Sequence, residues 1–160
     1  MASKWEYAMT PDASLVNLAK VIASRHFLSP FLVCAVIEQE SSWDTWAIRY
    51  EPKFFTKYVA PLYTNNKISA TEAYGRGFSW GLMQLMGECA RECGFAEPFL
   101  SSLCDPATGI EWGCQHLRKK LDAADGELNR GLLAWNGGGN KNYATEVFAR
   151  MQKYTSPEAT

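Results

Sequence analysis

Strong charge of either sign is missing from this chain. Lys and Arg number 16 against 17 Asp and Glu, for a formal net charge of −1. There is no basic field to hold nucleic acid or an anionic lipid surface, so neither is expected as a partner. Long apolar runs are missing too: no segment reaches the roughly 20 residues of a membrane span. The opening MASKWEYAMTPD has no apolar stretch of the kind that marks a secretory signal. The chain is therefore expected to begin in the cytoplasm, without stable membrane association. Metal-knuckle spacing is absent from the five cysteines, at 34, 89, 93, 104 and 114. Cys89 and Cys93 share a helical face and His26 and His116 are available, but nothing in the spacing demands that four ligands converge. No metal and no cofactor are expected, and the cysteines read as buried free thiols. No His-Glu-x-x-His pattern exists, and Cys34 lies inside an apolar helix, so a metal or thiol hydrolase lacks its parts. Alternating strands longer than a few residues are also missing.

Helical material is plentiful. Of 160 residues 47% are apolar, which suits one compact domain with its core at about residues 12–154. Asp12 or Ser14 can cap a helix carrying Leu15, Leu18, Val21 and Ile22. Ser29-Pro30 reads as N-cap and N1 of a second helix that ends near Glu40. Pro52 and Pro61 bound a short helix, and 63–79 reads as loop with a turn or short hairpin. Helical pattern resumes at Trp80 and stops at Gly94. Asp105-Pro106 opens a helix with the stripe Ile110, Cys114, Leu117 and Leu121, where Gly113 permits close approach. Asp125-Gly126 breaks the chain. A helix through Leu128, Leu132 and Trp135 stops at Asn136 and three glycines, and a last one carries Val147, Phe148, Met151 and Tyr154. The fold class is mainly α.

Three stretches carry candidate chemistry. The first surrounds Glu40, at the C-terminal end of an apolar helix. Burial and the negative end of the helix dipole both raise a carboxyl pKa there, which suits a general acid. Glu38 lies two residues back, about 200° around the helix, and so cannot line the same cleft. The second is SWGLMQLM, Ser79 to Met86: Gly81 lets backbone approach a ligand, and Gln84 offers a two-sided amide. The third is LLAWNGGGN, where Trp135 and Asn136 place an aromatic and an amide beside a glycine turn.

Taken in order, ESSW, GLMQLM, DPATGIEWGCQHLRKKL and LLAWNGGGN resemble the motifs of lytic transglycosylases and the related goose-type lysozymes, over about residues 30–145. The resemblance implies a lysozyme-like (α+β superfamily) helical fold with a substrate groove. Its substrate would be the glycan strands of peptidoglycan, cut between N-acetylmuramic acid and N-acetylglucosamine. It implies Glu40 as catalytic acid/base, with Ser41 shaping the helix end. Ser79, Gln84 and Met86 would line the groove, Trp135 stands where the family usually has Tyr, and Asn136 matches the Asn that follows. Tyr74 and Tyr143 are further groove residues on the same analogy.

There are departures. Gly81 follows Glu40 by 41 residues, so roughly 48–78 is an insertion, and Gly87 replaces the usual Pro. Trp135 lacks the family's phenolic hydroxyl. A compact chain with such an insertion looks most like a phage endolysin: a monomer made in the host cytoplasm without a signal peptide, reaching the periplasmic cell wall after holin-type release.

Two mechanisms stay open. In a transglycosylase the muramoyl 6-hydroxyl attacks and no second protein carboxylate is needed. In an inverting lysozyme a second carboxylate ~6.5–9.5 Å away activates water. Glu51 and Asp44 are candidates for that role, with Glu72 a weaker one; Glu51 can equally pair with Arg49 or Lys53. A non-catalytic glycan-binding module is the rival class. Trp43, Trp46, Trp80 and Tyr50 could stack on sugars, with one or two of them exposed.

Overall fold

The computed structural model describes residues 11–155. The helix starts follow from their caps. Asp12 accepts from the Ser14 amide at 2.8 Å and opens α1 (Ala13–Arg25). Ser29 accepts from the Leu32 amide at 3.4 Å and opens α2 (Pro30–Ser41). Leu32 through Ile37 are all buried, so α2 is the central helix of the core. Two residues in the left-handed region, Ser42 (φ 51°) and Trp43 (φ 67°), end it in a sharp reversal. Side chains with a Cβ cost of order 1–3 kcal/mol each in such a conformation. Trp43 offsets this by burying its ring and donating its indole N–H to Tyr154 Oη at 2.9 Å.

The chain then enters β1 (Ile48–Tyr50), α3 (Pro52–Phe54), a π-helical turn (Phe55–Val59), α4 (Ala60–Thr64) and α5 (Ala70–Arg76). Next come β2 (Phe78–Trp80), β3 (Leu85–Met86) and α6 (Gly87–Glu92). The three strands form one antiparallel sheet in the order β1-β2-β3, with Arg49 opposite Ser79 and Ser79 opposite Met86.

Two sequence expectations are corrected here. Residues 63–79 hold α5 rather than only loop, capped by Ser69 accepting from the Glu72 amide at 3.2 Å. Gly75 and Gly77 suggested a loop, but they serve packing. A Cβ on Gly75 would lie 3.0 Å from Leu100 Cδ1, and one on Gly77 2.8 Å from Phe55 Cδ2. The segment from Trp80 is a strand, a turn and a strand before any helix begins. Gln84 at φ 49° and Gly81 at φ 65° break the helical run.

A charged network docks α5 on α6. Glu72 accepts from Arg76 Nε and Arg91 Nε, both at 2.8 Å, and Arg76 Nη1 reaches Glu88 at 3.2 Å. Arg91 pulls the Glu72 carboxyl below its ordinary range, and Arg76 adds to this against the opposing effect of burial. A carboxylate depressed in the fold lends stability above its unfolded pKa and loses it as pH falls. Glu72→Gln is expected to cost about 2 kcal/mol at neutral pH. That cost should shrink as pH drops through the carboxylate range, as urea unfolding at two pH values would record.

The remaining helices are α7 (Pro106–Ala123), α8 (Leu128–Trp135) and α9 (Tyr143–Thr155). Asp105 caps α7 through the Thr108 amide at 2.9 Å. Gly113 lets α7 rest on Met83: a Cβ there would meet Met83 Sδ at 2.4 Å. One core cluster surrounds α2. A second, with Leu85, Ala90, Phe95, Leu100 and Leu103, lies behind the sheet. Trp135 borders both. The fold is mainly helical with one small sheet, as a lysozyme-like chain requires. Among the described residues no helix is long and apolar enough to cross a membrane.

Candidate active site

Trp135 marks the seam between the two clusters, and Glu40 meets it there. Glu40, on the last turn of α2, is half-buried. Its Oε1 accepts from Trp135 Nε1 at 3.0 Å and from Tyr143 Oη at 2.5 Å. Burial pushes the Glu40 carboxyl above its ordinary value. The donors Tyr143 and Trp135, and the positive charge of Arg49, work against that rise without cancelling it. Tyr143 is buried, and burial beside Glu40 raises its phenol, which stays a neutral donor. Both donors engage the same oxygen, Oε1.

Glu38 points the other way, as the 200° rotation requires. It accepts from Lys153 Nζ at 2.5 Å and Tyr154 Oη at 2.6 Å. Burial alone would raise its carboxyl; Lys153, Tyr154 and Arg150 together hold it below the ordinary range. Tyr143 and Tyr154 stand about 16 Å apart along α9. α9 thus lies across the end of α2, with one carboxylate at each of its ends.

Ser41 ties the helix end to the second motif. Its hydroxyl donates to Ile37 O at 3.1 Å and Leu82 O at 2.8 Å. Within that motif Gln84 is turned inward. Its Nε2 donates to Ala47 O and Gly81 O, both at 2.9 Å, while its Oε1 accepts from Ser79 at 2.8 Å. Ser79 is 2% exposed. Ser79 and Gln84 together clamp the β2–β3 turn. Met86 is half-buried on the same sheet face as Ser79. Asn136 caps α8, and its Oδ1 accepts from the Asn140 amide at 2.7 Å, which closes the glycine turn.

The register sorts the aromatics. Ile48, Tyr50, Phe78, Trp80 and Leu85 share one sheet face; Arg49, Ser79 and Met86 share the other. Tyr74 stacks on Phe55 at 5.5 Å and meets Tyr50 at 6.3 Å. It is exposed, but on the face turned from Ser79, so the structure does not bring it to Glu40. Trp43 is buried, and among the described residues Trp46, at 77% exposed, is the Trp left to solvent.

Of the other carboxylates, Glu51 takes the pairing reading: its Oε1 accepts from Arg49 Nε at 2.6 Å. Glu72, the weaker water-activating candidate, is held by two arginines in the α5–α6 network. Asp44 accepts from the Trp46 amide at 2.9 Å and shapes the loop.

Two residues stand nearer the site than the sequence reading placed them. Arg49 projects its charge toward Glu40. His116 lies 5.5 Å from the Trp135 ring and 3.6 Å from Cys93 Sγ, and burial lowers its imidazole to about 4. The side on which Arg49 falls follows from strand parity once β1 is recognised; His116 was read only as an available metal ligand, and its place beside Trp135 depends on tertiary packing. All five cysteines are free. Among the described residues no cluster of His, Cys, Asp or Glu suits a metal. A cleft of about 590 Å³ lies elsewhere, lined by residues such as Arg25, Phe95, Glu111 and Trp112, apart from Glu40.

No solved structure matches the chain. The family described as the transglycosylase SLT domain matches residues 17–155, nearly the whole described chain. The chain therefore belongs to the transglycosylase SLT domain family, enzymes that cleave the glycosidic bonds of peptidoglycan.

Proposed function

We propose that Glu40 is the acid/base of a lytic transglycosylase acting between N-acetylmuramic acid and N-acetylglucosamine. One observation carries the reading: a half-buried carboxyl, raised by burial, with one oxygen fixed by Trp135 and Tyr143 and the other open. Oε2 delivers its proton to the leaving glycosidic oxygen as the bond to muramoyl C1 breaks, with the substrate's acetamido group assisting. The muramoyl 6-hydroxyl then bonds to C1, and Glu40 takes the hydroxyl proton and is restored. No water enters and no second carboxylate is needed. The pairing of Glu51 with Arg49 supports this route over the inverting one, because Glu51 already has a cation to serve. An endolysin-like role on the cell wall belongs to the same proposal and rests on the resemblance and the inserted segment at about 48–78.

Mass spectrometry of digested muropeptides tests the route. Anhydro-muramoyl ends are expected from the wild type and from Glu51→Gln alike. Reducing ends that vanish in Glu51→Gln would overturn it in favour of water attack.

A further inference from the structure

Arg49 is placed, braced and left with free donors. It stands on β1 opposite Ser79, on the sheet face shared with Met86. The Ser79–Gln84 clamp holds that face, and Ser41 links the clamped turn to the end of α2 that carries Glu40. Arg49 Nε donates to Glu51 Oε1 at 2.6 Å, which fixes the plane of the guanidinium. Among the described residues neither η nitrogen has a hydrogen-bond partner. With the side chains 64% and 36% exposed, an ion pair of this kind adds little to stability. Its consequence is orientation: Nε is engaged by Glu51, and the two η nitrogens keep their donors for another acceptor. A guanidinium fork matches a carboxylate in geometry and charge. The charge also acts at Glu40, where it lowers the carboxyl against the effect of burial.

We propose that Arg49, braced by Glu51, binds a carboxylate carried by the muramoyl unit and so selects muramoyl strands over uncharged glycans. This rests on the reading of the Glu40 groove as the glycan site. Of the two sugars only the muramoyl unit bears such a group. On a peptide-free strand it is the lactyl carboxylate; on an intact strand the lactyl group is amidated and a stem-peptide carboxylate takes its place. Glu51 then acts as a positioning residue for Arg49 and not as a base toward water.

Binding in the Glu40→Gln background separates the inference from turnover. Three oligosaccharides of equal length are titrated by calorimetry at low salt: a peptide-free muramoyl fragment, a stem-peptide fragment, and a chitin oligomer. Adding Arg49→Gln is expected to weaken carboxylate-bearing ligands by about tenfold or more while moving the chitin oligomer by about twofold at most. Loss on the peptide-free fragment identifies the lactyl carboxylate; loss on the stem-bearing fragment alone identifies a stem carboxylate. Glu51→Gln should give a smaller loss on the same ligands, and Arg49→Lys a partial recovery. Equal weakening of all three, or none, overturns the proposal. If Glu40→Gln still cleaves cell walls, the acid assignment fails and these affinities still decide the role of Arg49.

Discussion

Glu40→Gln is expected to lower the rate of cell-wall cleavage by about 10²–10⁴-fold while leaving the fold intact. The amide keeps the shape of the carboxyl and can still accept from Trp135 Nε1 and Tyr143 Oη through its oxygen. What it cannot do is give up a proton to the leaving oxygen and take one back. Turbidity loss of purified walls measures the effect, and equal rates for variant and wild type would sink the acid assignment. The same variant is expected to be more stable near neutrality. Burial raises the Glu40 carboxyl in the fold, so the native state binds more protons than the unfolded chain, and stability falls as pH rises through that interval. Gln carries no such penalty. A gain of about 1 kcal/mol, or about 2–4 °C in Tm, should appear at pH 7 and disappear in acid, where both side chains are neutral.

The contrast with Glu38 supports the proposal that Glu40, of the two, is the acid. Both sit near the end of α2 and both meet α9. Glu38 faces a lysine and an arginine as well as Tyr154, so its proton is lost early. Glu40 faces two neutral donors and one more distant cation, so it holds its proton longer. The sequence resemblance puts a Tyr where this chain has Trp135. An indole N–H supplies a hydrogen bond to Glu40, and the hydroxyl comes from Tyr143 instead.

Much of this was legible from local rules. The starts of α1, α2 and α7 follow from Asp12, Ser29 and Asp105, because an N-cap is a contact between near neighbours in sequence. The separation of Glu38 from Glu40 follows from helix geometry alone. The sheet was not legible. Strands of three, three and two residues are too short for alternation to register, and their pairing joins Arg49 to Ser79 across the insertion. With the sheet unseen, the side on which Tyr74 falls could not be read, nor the inward turn of Gln84. Gly75 and Gly77 misled for a related reason: a glycine kept for a neighbour 25 or 22 residues away looks the same as one kept for a turn.

Gly87→Ala is expected to destabilise the protein by about 3 kcal/mol, against its local preference. Gly87 opens α6 without a positive φ, where Ala would ordinarily gain about 1 kcal/mol in helix propensity. A Cβ there would lie 2.3 Å from Gly75 O and 2.8 Å from Arg76 Cα. Both atoms are backbone, so no rotamer change relieves the contact, and α5 itself must shift. Glu72, Arg76, Arg91 and Glu88 hold α5 in place, so the shift also strains that network. The family's Pro fits the first position of a helix well, since its missing N–H is not needed there. It carries a Cβ, however, and in this chain the insertion puts α5 where that atom would go. The packing of α5 against α6 thus accounts for a glycine at this position. Gly139→Ala, with only a 4.0 Å contact to Asn136 Oδ1, is the control and should change stability by about 0.5 kcal/mol or less. Urea unfolding of the two variants decides the point: if Gly87→Ala matches Gly139→Ala, then α5 does not rest on α6 as tightly as described, and the insertion leaves the Gly in place of Pro unexplained.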